Sequence, residues 1–277
     1  VQLVYGPGDP MGSCLAASPI VDKIAFTGGG VTGRKIQIAA ASNFKKISLE
    51  LGGKSPNIIF ADADPDVALE YALFGIFAGQ GEVCSAGSRL LLDRRLGGDF
   101  LHRLVSACEK IVVGSGLDEA TEMGPLISRA HQKKVLDYIQ AGCCEGGEIM
   151  CGGGTYNDKR SAGNFVQPTI FSNTKPSMRI VKEEIFGPVL VLIPYDGIDE
   201  AVDIANDSPY GLAGAVYAAN QETGIAIARR IRTGQVTVNN GRFNPNAPFG
   251  GYKQSGIGRE LGEYGFEEFL EVKSLQL

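Results

Sequence analysis

Apolar positions along this chain switch repeatedly between continuous strand-like runs and a helical spacing. Residues 21–27 run apolar into the cluster Gly28-Gly29-Gly30, which predicts a strand and a tight turn. Ile36, Ala39 and Ala40 share one face of a helix over 34–41, and 45–50 predicts the next strand, so 21–50 reads as one βαβ unit. A strand over 57–60 leads to a marked helix start: Asp64 caps, Pro65 suits the first turn, and Val67, Tyr71, Phe74 and Ala78 form the apolar stripe.

The alternation continues. A strand over 89–93 precedes helices near 99–112 and 128–145, and the glycines at 152–154 open a surface loop or hairpin reaching Gly163. Residues 185–193 predict a long apolar strand broken at Gly187-Pro188, followed by helix 199–206, strand 213–218, helix 221–232 and strand 235–239. Residues 268–277 alternate like a terminal edge strand in need of a partner. The pattern predicts an α/β fold with mainly parallel pairing and a modest boundary near 51–56, where Gly-Gly-Lys-Ser-Pro breaks the periodicity.

Composition narrows the classes. A chain of 277 residues can bury a large core, and no run is long enough to cross a bilayer. The net charge of −5, with signs interspersed, argues against nucleic acid; the densest basic cluster, Arg229-Arg230-Ile231-Arg232, reads as a solvated helix end. The six cysteines do not form a dense secreted framework, so free thiols in a reducing cytoplasm are expected. Cys143-Cys144 and Cys151 lack zinc-ligand spacing and neither histidine has an i,i+4 partner, so no metal is expected.

Candidate chemistry centres on Cys84, on a glycine-flanked turn, and Glu50, at the end of a β-rich run: a possible nucleophile and base. A lone cysteine in such a chain is most often a small buried hydrophobe. Gly28-x-Gly30-x-x-Gly33 matches a dinucleotide fingerprint between strand and helix, with Glu50 near the spacing of a ribose-binding acid; a plain glycine-rich turn reads equally well. Gly53-Lys54-Ser55 ends like a phosphate loop, but Ser48 occupies the position where that motif needs glycine.

Several segments together carry a resemblance: Phe26-Thr27-Gly28, Leu49-Glu50-Leu51-Gly52-Gly53-Lys54-Ser55-Pro56-Asn57, Gly81-x-x-Cys84 with Arg89, Glu183-Glu184-Ile185-Phe186-Gly187-Pro188, and Pro248-Phe249-Gly250-Gly251-Tyr252-Lys253. In order and spacing the chain resembles the aldehyde dehydrogenase superfamily, matching a little over the C-terminal half of a full-length member. The resemblance implies the end of a Rossmann-like cofactor domain over 1–52, a catalytic α/β domain over 53–255, and a return segment with an oligomerisation strand over 256–277.

It also implies roles. Cys84 becomes the nucleophile, and Glu50 the general base rather than the ribose reader. Gly28, Gly29, Gly33 and Leu51 line the cofactor side, Glu184 bonds the nicotinamide ribose and Phe186 packs beside the nicotinamide. Phe243 and Phe249 line the substrate throat. The implied cofactor is NAD or NADP, the substrate an aldehyde oxidised through a Cys84 thiohemiacetal and thioester, and the assembly a homo-dimer or tetramer. The chain departs from the family pattern at Gly29, usually Ser, at Gly79, commonly Asn, and at Glu82, commonly Gln. A carboxylate two residues before the nucleophile would disfavour a thiolate if the two faced each other, so Glu82 is expected to point away. By the same resemblance, an oxyanion-holding Asn and a ribose-binding Lys belong upstream of Val1. Two alternatives follow: a silent truncated chain acting as an interaction module through 268–277, or a cofactor-free esterase.

Overall fold

A computed structural model describes residues 1–277. The first part comprises α1 (Ser13–Ala17), β1 (Lys23–Thr27), α2 (Gly30–Ala40) and β2 (Lys46–Glu50). Next come β3 (Pro56–Ile59), α3 (Pro65–Phe77), β4 (Arg89–Asp93), α4 (Gly97–Glu109), α5 (Arg129–Cys144), β5 (Glu148–Cys151) and β6 (Thr169–Ser172). The chain continues through α6 (Arg179–Lys182), β7 (Val189–Tyr195), α7 (Gly197–Asn206), β8 (Tyr210–Gly211), β9 (Ala215–Tyr217) and α8 (Gln221–Ala228). It ends with β10 (Thr237–Val238), β11 (Tyr252–Lys253), β12 (Gly256–Ile257) and α9 (Gly262–Glu267).

The main sheet has seven strands in the order β10-β9-β3-β4-β7-β6-β5, and every pair is parallel except β5 with β6. Helices cover both faces, which is why the central strands read as unbroken apolar runs rather than alternating ones. Neighbouring residues on one strand feed opposite layers. Ile58, Leu91 and Val191 join the core built with α5 to α8, while Ile59, Leu90, Leu92 and Leu192 join the core built with α3 and α4. A second, three-stranded sheet orders β1-β2-β12; β1 and β2 are parallel in register from Lys23–Lys46 to Thr27–Glu50, and β12 returns antiparallel onto β2.

Local signals placed several helices as the sequence suggested. Asp64 accepts from the N–H groups of Asp66 and Val67 at 3.0 and 3.3 Å, and Pro65 opens α3. Other expectations shift. The strand predicted over 185–193 starts only at Val189, because Phe186 takes a left-handed φ of 60° and turns the chain. The strands β5 and β6 were not anticipated; they form the antiparallel edge, so the glycine-rich stretch from Gly152 is the long connection of a hairpin. The strand expected over 268–277 does not form: residues 268–269 are a turn closing α9, and the rest, with Val272 and Leu275 exposed, pairs with no strand of this chain. A strand needs a neighbouring edge, and here only Lys23 and Lys46 reach the segment, through Glu268, Glu271 and the Leu270 carbonyl.

Arg89 locks the main sheet to a helix end. It is 2 % exposed, its Nε donates to Lys54 O at 2.8 Å, and its two terminal nitrogens donate to Ile204 O and Ala205 O at 2.9 and 2.8 Å. A guanidinium here satisfies carbonyls at the C-terminal end of α7 and suits the negative end of that helix. Arg89→Met, which leaves three buried acceptors unpaired, should cost about 3 kcal/mol of unfolding free energy, read as a lower urea midpoint with an unchanged slope.

Candidate active site

The nucleophile loop begins where α3 ends. Gly79, Gln80 and Gly81 all take positive φ (58°, 59° and 69°), which reverses the chain into residues 82–88. At Gly81 a side chain is excluded for a second reason: a Cβ there would lie 2.3 Å from Gly187 O, so this loop presses against the turn that follows Phe186. Cys84 emerges half-buried from the loop. Glu82 turns aside as expected: its Oε1 accepts from Ile127 N at 3.1 Å and lies 3.5 Å from His131 Nε2.

Glu184, which follows α6, and Cys84 flank one glycine pair, while Glu50, which ends β2, lies near enough to act on the Cys84 thiol and faces Gly250. A Cβ on Gly52 would sit 2.0 Å from Glu184 Oε2, and one on Gly53 would sit 2.6 Å from Cys84 O. Gly53 N also donates to Glu184 Oε1 at 3.2 Å. Only bare backbone fits between the carboxylate and the nucleophile loop.

Electrostatics sets the protonation states. Burial, reinforced by Glu260 and opposed by Arg259, pushes the Glu50 carboxyl up from 4.5 to about 7, and neither of its oxygens has a hydrogen-bond partner. Burial also pushes the Cys84 thiol up, helped by Glu184 and Glu50, while the N–H groups of Ser85 and Cys84 pull the other way. Desolvation first, and the two nearby carboxylates after it, favour the protonated thiol at Cys84.

The cofactor-side residues divide by role. Gly28 N donates to Glu50 O at 3.0 Å, and a Cβ there would strike the Phe26 ring at 2.5 Å. Gly29 precedes the first turn of α2 with open space around it, and the helix bonding starts with Gly33 N to Gly29 O, so the preceding N–H groups lack helical partners. Gly33 packs α2 onto β2's end: its Cβ would meet the Leu51 side chain at 2.8 Å, and Leu51 is itself buried. Leu51 N donates to Ser255 O at 2.9 Å. Phe186 packs edge-on against His131, with ring centroids 5.9 Å apart.

On the other side of the loop lies an open cavity of about 980 Å³, lined by Val83 and Ser85, which flank Cys84, and by Tyr71, Phe74, Phe243 and Phe249. Phe243 is 66 % exposed, whereas Phe249 is anchored by a two-way backbone pairing with Glu260 at 2.7 Å. That pairing delivers Glu260 to the neighbourhood of Glu50.

Several contributors escaped the sequence reading. Arg259 and Glu260 look like an ordinary charged pair until the β11–β12 segment folds back over β2. Ser255, fully buried, donates to Gly52 O at 2.7 Å and accepts from Gly211 N at 2.9 Å, holding the glycine pair in place. Lys54 is buried with an unpartnered Nζ, and burial with the nearby Arg89 pulls it from 10.5 to about 7, against the pull of Glu184 and Glu183. No spacing in the sequence signalled what these four residues do, since each acts across a fold contact.

Residues 1–275 match the aldehyde dehydrogenase family, and the chain belongs to that family. It is 50% identical over 276 residues to the betaine aldehyde dehydrogenase of Bacillus subtilis (strain 168), a match covering 98% of this chain and 56% of that protein. It is 45% identical over 277 residues to the mitochondrial aldehyde dehydrogenase of Homo sapiens, covering 99% and 53%. Among solved structures, the betaine aldehyde dehydrogenase of Staphylococcus aureus in complex with NAD+ superposes with a TM-score of 0.94 at 44% identity, covering 96% of this chain and 53% of that one. The chain therefore spans just over half the length of the relatives it matches.

A buried carboxyl that holds its proton more tightly in the folded state stabilises most below its ordinary range, and that contribution disappears as pH rises through about 7. Glu50→Gln cannot ionise. The variant should match the parent's stability at low pH and exceed it above neutrality by about 3 kcal/mol, followed as the difference in urea midpoints across pH.

Proposed function

We propose that this chain carries the nucleophile and base of an enzyme that oxidises an aldehyde to a carboxylic acid with NAD+. The observation that supports this best is the meeting of Cys84 and Glu184 across Gly52 and Gly53, with Glu50 near enough to act on the thiol, three segments distant in sequence. Membership of the family and the NAD+ complex of the Staphylococcus aureus relative point the same way.

The residues present suit a dinucleotide. The N-terminus of α2 offers backbone N–H groups behind Gly28 and Gly29, where no side chain intrudes, and such a helix end favours pyrophosphate. Glu184, held in place by Gly53 N, offers a free Oε2 to a ribose hydroxyl, and Phe186 offers an aromatic wall. Gly33 and Leu51 hold the first turn of α2 against the end of β2. When bound, NAD+ supplies the hydride acceptor.

The chain's own residues do the rest. Glu50 takes the Cys84 proton, and Sγ attacks the aldehyde carbon to form a C–S bond; the backbone N–H of Cys84 helps hold the developing oxyanion. Oxidation of this thiohemiacetal leaves a thioester on Sγ. Glu50 releases that first proton to solvent and then accepts one from water as the water oxygen attacks the thioester carbonyl; the C–S bond breaks, the thiolate is regenerated and the carboxylic acid leaves. Sulfur suits this sequence better than a hydroxyl because it ionises and departs more readily.

The aromatic cavity lined by Tyr71, Phe74, Phe243 and Phe249 suits an apolar aldehyde, and aromatic faces also suit the quaternary ammonium head of betaine aldehyde, the substrate class named for two of the relatives. We further propose a homo-dimer or tetramer in which residues 268–277 find the neighbouring strand they lack within this chain. No helix is long and apolar enough to cross a membrane, and a cytoplasmic location agrees with six unpaired cysteines.

Assayed in the full-length protein with betaine aldehyde or propanal, Cys84→Ala should abolish NAD+ reduction. Glu50→Gln should slow both acylation and hydrolysis, turning over at least a hundredfold more slowly than the parent, with acylated Cys84 visible by intact mass. Deacylation in the parent should rise with pH through about 7, following ionisation of Glu50. Steady turnover by Cys84→Ala would sink the assignment. Normal rates in Glu50→Gln would remove Glu50 as the base.

A further inference from the structure

The nucleophile loop and the turn bearing Glu184 and Phe186 touch twice. One contact is rigid: the Gly81 backbone against Gly187 O. The other runs through an imidazole that the reaction does not use. His131 sits in the first turn of α5, its backbone N–H held by the Ser128 cap at 3.2 Å. Its Nε2 donates to Phe186 O at 2.5 Å and lies 3.5 Å from Glu82 Oε1, and its ring lies edge-on to the Phe186 ring. Glu82 in turn accepts from Ile127 N, just ahead of α5. Both side chains are largely buried, with 15 % and 13 % of their surfaces exposed.

Phe186 has reason to need such a hold. At φ 60° a residue with a Cβ is strained by about 1 kcal/mol or more, and that conformation persists only where its surroundings enforce it. The hydrogen bond to its carbonyl fixes the Phe186–Gly187 peptide plane, and with it the exit from the turn that carries Glu184. Glu82, which stands where the family commonly has Gln, places Oε1 3.5 Å from the same Nε2, so one imidazole nitrogen faces an acceptor on each of the two segments.

We propose that His131, oriented by Glu82, is a positioning residue that ties the Cys84 loop to the Glu184–Phe186 turn, so that the geometry of the cofactor-side turn and the reactivity of Cys84 are set together. The claim about NAD+ rests on the function proposed above; the claim about Cys84 does not.

The test therefore has two arms. In the first, without cofactor, the rate of Cys84 alkylation by iodoacetamide is followed by peptide mass in the parent, His131→Leu, His131→Gln and Glu82→Gln. His131→Leu should change that rate at least threefold, and His131→Gln, which keeps a side-chain N–H, should restore most of it. Glu82→Gln should fall between parent and His131→Leu. In the second arm, calorimetry should show NAD+ bound about tenfold more weakly by His131→Leu than by the parent, with His131→Gln closer to the parent. An unchanged alkylation rate in His131→Leu overturns the proposal, including the case where only thermal stability falls, which is a packing role. Should His131→Leu fail to fold, His131→Gln and Glu82→Gln decide: both at the parent rate overturns it, and a graded change supports it. A changed alkylation rate with no NAD+ binding even in the parent upholds the tie and removes the dinucleotide reading instead.

Discussion

Everything at this site depends on backbone approaching side chain where Gly52 and Gly53 pass between Glu184 and Cys84. With no Cβ at either position, a carboxylate lies on one face of the strand exit and the nucleophile loop on the other, separated by a single peptide thickness. Ser255 holds Gly52 from below, and Gly53 N holds Glu184. Sterics of this kind are less forgiving than hydrogen bonds: a methyl group at 2.0 Å cannot be absorbed by a small rotation, so one of the groups would have to leave.

That closeness has an electrostatic consequence. Three titratable groups, Cys84, Glu50 and Glu184, share a half-desolvated space, and burial raises all three above their ordinary values. Negative charge is the scarce state here, so the site favours one ionised group at a time. Raising the Glu50 carboxyl to about 7 brings its proton affinity closer to that of a thiol than an exposed carboxylate's would be. Arg259 tempers the effect on Glu50, while the unpartnered oxygens of that carboxyl remain free to accept.

The sheet explains how distant segments arrive together. Glu50 lies at the carboxyl end of β2, whereas Gly52-Gly53, the Cys84 loop and the Glu184–Phe186 turn enter the parallel strands β3, β4 and β7 at their amino ends, so those loops gather on one rim of the main sheet. Arg89, at the start of β4, ties this region to the end of α7 and fixes the course of Lys54 beside the glycine pair.

Much was legible beforehand. The Asp64-Pro65 start of α3, the βαβ unit around the glycines and the apolar central strands follow from local physics: capping, fixed φ and burial on two faces. The motifs containing Glu50, Cys84 and Glu184 were likewise visible as text, with their roles implied by resemblance. Hidden were the edge strand β5 and its neighbour β6, only four residues each, and the terminal segment, whose alternation found no edge to join within this chain. The fingerprint at Gly28 to Gly33 was readable as a pattern, but only coordinates divide it into an open turn at Gly29 and a packing glycine at Gly33 against Leu51. The sequence by itself determined the capped helix α3, the glycine-bounded βαβ unit and the buried central strands, because propensity and patterning are local. The tertiary structure alone decided that Glu260 faces Glu50, that His131 grips Phe186 and that the thiol keeps its proton, because distance and burial between remote residues exist only after the chain has folded.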